Sequence, residues 1–134
     1  RKTNDVVADF THRAVEIEQK KANVLKVGNL QTKRAITDVR DLVNALILLS
    51  DKGTWGDVYN ISGNKVYLIN EIIPIIENYM GIKLPVEVDP KLLRPTDEPI
   101  IFGDSSKLKK DTGWEQTYAL DQTIKDMIDY IRNK

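Results

Sequence analysis

Two arginines in turn-rich segments are the side chains of this sequence best suited to hold an anion. Arg34 follows a turn at Gly28-Asn29 and its neighbour Lys33, and Arg94 lies in a second turn-rich segment. A guanidinium group forks onto two phosphate oxygens, and glycine lets the backbone approach a ligand closely. Two loop arginines that converge would therefore suit a diphosphate.

Each arginine is followed a few positions later by an acid, Asp38 after Arg34 and Asp97 after Arg94. Thr37 is a good N-cap for the helix that follows, and the start of a helix carries a positive partial charge. The alternative is that residues 27–41 form a surface connection with solvated cations. The sequence alone does not show that the two arginines meet.

The remaining catalytic patterns have structural explanations. Tyr79 and Lys83 have the spacing of a tyrosine–lysine acid–base pair, but Gly81 interrupts the single helix that such a pair needs. His12 is the only histidine, and we expect it at an exposed or edge position rather than at a metal.

A pair of carboxylates, Asp38 and Asp41, stands at the start of one predicted helix. One turn apart, they would be able to act together. Arg34 and Arg40 are close enough in sequence to neutralise them, which favours a structural role.

Length and composition indicate one modest domain over residues 1–134. The sequence is 41% hydrophobic and 30% charged, with 20 basic and 20 acidic residues, so we expect a globular protein with no nucleic-acid partner. The lack of cysteine excludes disulfides, zinc–thiolate sites and a cysteine nucleophile, and it fits a cytoplasmic location. No run approaches the roughly 18 apolar residues of a membrane span, so no membrane partner is expected. Since the sequence lacks a start methionine, we expect a piece of a longer chain.

The hydrophobic pattern predicts an α/β fold. Helices are predicted over 4–22, from Thr37 to Gly53, over 70–81, from 104 or 105 to 111, and from Leu120 to Ile131. Strands are predicted at 24–27, 58–61, 66–69 and 85–88, with a stiffened loop at 89–99 and a brief apolar stretch at 100–102. There is no G-x-G-x-x-G motif and no P-loop, so no dinucleotide site of that kind is expected here.

Four segments carry a family resemblance. They are Val-Gly-Asn-Leu-x-x-x-Arg with Thr-Asp-Val-Arg-Asp (27–41), Gly-Asp-Val-Tyr-Asn-Ile (56–61), Asp-Pro-x-x-Leu-Arg-Pro-Thr-Asp (89–97), and Gly-Asp-x-Ser-Lys-Leu with Gly-Trp (103–114). Together they resemble the carboxyl-terminal half of the extended short-chain dehydrogenase/reductases that act on nucleotide sugars. The likeness is strongest to the GDP-mannose 4,6-dehydratases and the related GDP-4-keto-6-deoxy-mannose reductases. The segments at 94–97 and 103–107 favour this pair over the epimerases of UDP sugars.

The resemblance implies a small mixed α/β substrate-binding lobe, without the Rossmann lobe that binds NADP or NAD. The full-length parent would be an NAD(P)-dependent dehydratase (a lyase) or reductase of GDP-mannose or GDP-4-keto-6-deoxy-mannose. This chain alone would bind no cofactor and would be inactive. Apolar surface that packs on the other lobe would be exposed, so we expect a homo-oligomer. The alternative is a non-catalytic nucleotide-binding or oligomerisation module.

The resemblance also implies which residues bind the nucleotide sugar. Gly28, Asn29 and Leu30 would lie near the nucleotide, and Arg34 would contact the diphosphate. Arg94 would be a second arginine at the nucleotide end, and Asp97 would accept hydrogen bonds from guanine N1 and N2. One departure is Ala35-Ile36, where relatives often carry an acid and an aromatic residue.

Overall fold

The computed structural model describes residues 5–63, 65–93, 100–101 and 103–134, with residues 100 and 101 described by their backbone alone. The helices within these ranges are α1 (Val6–Glu18), α2 (Val39–Lys52), α3 (Ile72–Met80), α4 (Ser106–Thr112) and α5 (Leu120–Arg132). The strands are β1 (Leu25–Val27), β2 (Lys33–Ala35), β3 (Val66–Leu68), β4 (Val86–Val88) and β5 (Ile100–Ile101). Single turns of 3-10 helix occupy Ile69–Glu71 and Pro90–Leu92. The predicted mixed α/β fold is confirmed.

The strands form two small sheets. β1 and β4 pair in parallel, with Leu25 opposite Val86. In the second sheet β2 is central, antiparallel to β3 and parallel to β5. Each strand is only two or three residues long, so the helices, rather than the sheets, must supply most of the buried apolar surface.

The larger core lies where α1, α3 and α5 pack together over β1. Each helix contributes the apolar residues that recur on one of its faces, which is the pattern that the sequence predicts. The fully buried side chains of this core include Ala14, Leu25, Ile72, Ile76, Ile124 and Ile128. The first and last helices of the chain are therefore direct neighbours.

A smaller core joins α2 to α4. Ala45, Leu108 and Trp114 are fully buried there, and Tyr59 and Ile61 pack against them. The Trp114 indole N–H donates to the backbone oxygen of Asp41 at 3.0 Å, so the buried ring also has a hydrogen-bond acceptor for its polar group.

Acidic side chains and glycines mark several of the helix ends. Asp5 caps α1, and Gly53, Gly81 and Gly113 follow the last residues of α2, α3 and α4. The N-cap of α2 is Asp38 and not Thr37, because the Asp38 carboxylate accepts from the Arg40 backbone N–H at 2.8 Å.

Two strand predictions were wrong. Residues 58–61 form no strand, because the described structure offers no neighbouring backbone with which they pair. Residues 33–35, which we expected in a loop, form β2 because strands on both sides supply its partners. Strand formation thus follows the available partners more closely than the local residue types.

Candidate anion-binding site

The turn after β1 is closely packed against the 3-10 turn Pro90–Leu92. A Cβ atom added to Gly28 would lie 2.6 Å from the Leu92 backbone oxygen, so only glycine fits without a shift. The Asp89 backbone N–H donates to the Val27 oxygen at 2.9 Å and fixes the two segments together. The close backbone approach that Gly28 allows is therefore made by Leu92 of the same chain.

The next residues are held by short-range bonds. The exposed Asn29 accepts from the Gln31 backbone N–H at 2.9 Å, which closes a local turn. The half-buried Leu30 packs on the larger core, and its backbone oxygen accepts from the Asn70 N–H at 3.0 Å. This turn is consequently a fixed part of the surface.

Arg34 lies in the centre of the three-stranded sheet. It is opposite Tyr67 of β3 and beside Ile101 of β5. Its side chain is half-exposed, and Nη1 donates to the Lys33 backbone oxygen at 2.8 Å, among other contacts. A guanidinium carries five N–H donors and can serve several acceptors at once.

The segment that carries the other two predicted site residues is anchored at both ends on this surface. Leu93 follows the 3-10 turn that packs on Gly28, and Ile100 pairs with Lys33. Arg94 and Asp97 themselves lie outside the described residues. Gly28, Asn29 and Leu30 thus lie in one turn beside the Pro90–Leu92 segment, and Arg34 lies in the neighbouring three-stranded sheet.

The other candidate residues have structural roles. Tyr79 lies in the last turn of α3, where its hydroxyl donates to Asp129, an interaction that raises the pKa of the phenol. Gly81 ends this helix in the left-handed conformation, with φ of 68°, so Lys83 is not on the same helix. His12 is half-buried on α1. Among the described residues, no group of three or more histidines or carboxylates could hold a metal ion.

The pair of carboxylates is fully satisfied within the protein. Asp38 accepts from Arg40 at 2.8 and 2.9 Å and from the Thr123 hydroxyl at 2.7 Å. The hydrogen bonds from Arg40 lower the pKa of Asp38 to about 2, against the opposing effect of burial. Asp41 accepts from the backbone N–H groups of Thr117 and Tyr118 at 2.9 and 3.0 Å. The two acids therefore hold helices in place, as the structural alternative predicts.

A cleft beside this network is the feature that sequence reasoning missed. It has a volume of about 290 Å³ and lies between the starts of α1 and α2 and one side of α5. Arg40 lies in the wall of this cleft. Its guanidinium bonds to Asp126 at 2.9 Å and stacks 3.7 Å from the Tyr118 ring centre. Ile36 and Thr37, which line the cleft, follow β2 directly. The helical period of α5 places Asp126 near Thr123, but no local signal brings either residue to Arg40.

No helix in the described part of the chain is both long enough and apolar enough to span a membrane.

The sequence matches known proteins over most of its length. The family profile described as GDP-mannose 4,6 dehydratase matches residues 1–127. GDP-6-deoxy-D-mannose reductase of Pseudomonas aeruginosa is 26% identical over 128 residues, which are 95% of this chain and 42% of that enzyme. GDP-mannose 4,6 dehydratase 1 of Arabidopsis thaliana is 29% identical over 107 residues, which are 78% of this chain and 29% of that enzyme.

A solved structure shows the same fold. The structure of RMD from Pseudomonas aeruginosa complexed with NADPH has a TM-score of 0.90 and 24% identity, and the match covers 99% of this chain and 44% of that one. This chain thus spans less than half the length of these relatives. Because the family profile covers nearly all of its sequence, the chain belongs to the GDP-mannose 4,6 dehydratase family, a group of extended short-chain dehydrogenase/reductases.

Proposed function

We propose that this chain is the nucleotide-sugar-binding part of an NAD(P)-dependent GDP-mannose 4,6-dehydratase or of a related 4-keto-6-deoxy sugar reductase. The observation that carries the proposal is the common anchoring of two segments. The Gly28 turn and β2 hold both ends of the chain between residues 93 and 100. Arg34 is the neighbour of Lys33, which pairs with Ile100 just after the segment that contains Arg94 and Asp97.

The positive charge of Arg34 and Arg94 suits a diphosphate. The chain as a whole has a formal net charge of zero, so affinity for an anion must come from local cations. Arg34 is held in a strand between β3 and β5, so its backbone needs little ordering when a ligand binds. In this proposal Arg34 and Arg94 clamp the diphosphate, and Asp97 accepts from guanine N1 and N2.

The chemistry itself is assigned to the rest of the full-length enzyme. This sequence has no glycine-rich dinucleotide motif. It has two Tyr-x-x-x-Lys spacings: Gly81 divides Tyr79 from Lys83, and Lys134 lies beyond the end of the helix that carries Tyr130. These residues therefore do not fit a cofactor site. When bound elsewhere in the enzyme, NADP or NAD supplies hydride transfer to and from the sugar. We place such an enzyme in the cytoplasm, where its nucleotide-sugar substrate would be GDP-mannose or GDP-4-keto-6-deoxy-mannose.

Arg34→Ala should weaken binding of GDP and of GDP-mannose by about 10- to 100-fold, since a charge-assisted bond to phosphate is lost. Isothermal titration calorimetry on the purified chain measures this change. Lys33→Ala is the matched control, because Lys33 is the exposed neighbour whose side chain points to the opposite face of the strand. It should change the affinity by less than about threefold.

Equal losses in both variants would contradict a specific role for Arg34 and would indicate general charge attraction. Asp97→Asn extends the test to the base, and it should reduce the preference for GDP over UDP. No binding of GDP by the wild-type chain, with Arg34→Ala unchanged, would favour a domain without a nucleotide ligand.

The purified chain should not turn over GDP-mannose in the presence of NADP, because it offers neither a hydride-carrier site nor an acid–base pair. Absorbance at the NADPH band and chromatography of the sugar nucleotide measure this. Clear turnover would overturn the assignment of the chemistry to the rest of the enzyme.

A further inference from the structure

The strand beside Arg34 brings an aromatic ring and a second cation to the same face of the sheet. In the antiparallel pair of β2 and β3, Arg34 is directly opposite Tyr67. Side chains that are directly opposite project from the same face, from Cα atoms about 4.5–5.5 Å apart. Lys65 precedes Tyr67 by two positions, so the alternation along the chain directs it to this face as well.

The Lys65 side chain lies against the residue that pairs with Arg34. Its Nζ atom is 4.9 Å from the centre of the Tyr67 ring, which is within the range of a cation–π contact. Lys65 is exposed, so solutes can reach the ammonium group that the ring holds. Tyr67 is half-buried and packs on the larger core. This anchored ring therefore has the ammonium of Lys65 over its face and Arg34 across the ladder.

The two strand segments are rich in positive charge. Residues 33–35 and 65–68 contain Lys33, Arg34 and Lys65 and no acidic residue, although the chain as a whole has a formal net charge of zero. Lys33 projects from the opposite face of β2 from Arg34. The two cations on the Tyr67 face repel each other, so an anion with more than one charge gains from contact with both.

The direction of β3 indicates which part of a ligand Lys65 reaches. Its carboxyl end is tied to the turn after β1, because the Ile69 N–H donates to the Thr32 oxygen at 2.9 Å and the Asn70 N–H to the Leu30 oxygen at 3.0 Å. The chain runs from Lys65 toward this turn, so Lys65 and the turn lie on opposite sides of the Arg34–Tyr67 pair. A ligand whose nucleoside lies at the turn meets Arg34 first and Lys65 second.

We propose that Lys65 contacts the outer phosphate group of a nucleoside diphosphate bound by Arg34, and that Tyr67 positions the Lys65 ammonium. The outer phosphate is the one farther from the nucleoside, and in a nucleotide sugar it carries the hexose. This inference rests on the proposed function, since it takes Arg34 as the first phosphate contact.

Calorimetric titration of the purified chain with GDP and with GMP tests the role of Lys65. Lys65→Gln removes the charge and keeps most of the side chain, and it should lower the affinity for GDP about 5- to 10-fold. The affinity for GMP, which lacks the outer phosphate, should change by less than about twofold. Equal losses for the two nucleotides, or an unchanged affinity for GDP, would overturn the proposal.

Lys33→Gln is the matched control for Lys65→Gln. It removes the same charge from the opposite face of the same sheet, so both affinities should stay within about twofold of wild type. A loss of GDP affinity as large as that of Lys65→Gln would show that general charge attraction, and not a contact from Lys65, sets the effect.

Variants of Tyr67 test how Lys65 is positioned. Tyr67→Phe keeps the ring and should bind GDP as the wild type does, whereas Tyr67→Leu should lower the affinity about threefold. In a protein that already carries Lys65→Gln, Tyr67→Leu should cause no further loss. A merely structural role of Tyr67 predicts equal losses in both backgrounds, and that result would overturn the positioning role. The Lys65 variants test the phosphate contact whether or not Tyr67→Leu folds.

Failure of this inference can be told from failure of the proposed function. If Arg34→Ala loses affinity for GDP while Lys65→Gln does not, only the contact from Lys65 is overturned. If the wild-type chain binds no GDP, both are overturned.

Discussion

Among single residues, Asp38 shows how a suspected catalytic group becomes a structural one. Its side chain is only 3% exposed, and it accepts from both Arg40 and Thr123. Both carboxylate oxygens thus accept hydrogen bonds, and the ionised form is stabilised. The Asp38–Arg40 pair links the start of α2 to α5 through Asp126 and Thr123.

Acid should weaken the folded state through Asp38. The pKa of its carboxyl falls from 3.8 to about 2 on folding, so the unfolded chain binds more protons between these values. The stabilisation is fully present above about pH 4, is lost as the pH falls toward 2, and amounts to about 2 kcal/mol. Urea unfolding of wild type and Asp38→Asn from pH 6 to pH 2 measures it. The wild type should lose its advantage over the variant across this window, and a constant difference would contradict the assignment.

Among the elements, α2 is held in place by the buried side chain of Asp41, on the side of the helix opposite its exposed apolar residues. Asp41 is 1% exposed and accepts from the backbone of Thr117 and Tyr118, which lie between α4 and α5. The Trp114 indole donates to its backbone oxygen. One residue of α2 therefore holds the connection between the last two helices.

Asp41→Ala should destabilise the chain by about 2 kcal/mol, because two part-buried backbone N–H groups lose the carboxylate that accepts from them. Asn44→Ala, on the exposed side of the same helix, should stay within about 0.5 kcal/mol of wild type. Thermal or urea unfolding compares the two. Similar losses in both variants would contradict a specific role for the Asp41 bonds, because alanine itself favours the helix.

The helices were predictable from sequence because their hydrophobic period and caps are local signals. Strand β2 and the segment 58–61 were not, since their states depend on which backbones lie beside them. For the site, the sequence singled out Gly28 and Arg34. In the structure Gly28 packs against Leu92 and Arg34 lies in a strand, and their role in binding stays a prediction. The Arg40–Asp126 contact joins residues far apart in sequence, and no local pattern encodes it.

Over the whole molecule, buried and exposed leucines should differ sharply in what they contribute. Leu25→Ala, in the larger core, should cost about 2–5 kcal/mol through lost burial and a cavity. Leu46→Ala, on the exposed face of α2, should change the unfolding free energy of the isolated chain by about 0.5 kcal/mol or less. Urea unfolding of both variants checks this. A large loss of unfolding free energy in Leu46→Ala would show that this face of α2 is already covered in the isolated chain.

The packing of α1 against α5 constrains the order of folding. Glu18 and Arg132 are bonded across 114 positions, and the helices that carry them share the larger core. Long loops must close before such contacts form, which slows folding. During synthesis α1 leaves the ribosome long before α5, so its apolar face stays uncovered until α5 has been made. A chaperone that binds short apolar helices would find its target in α1 during that interval.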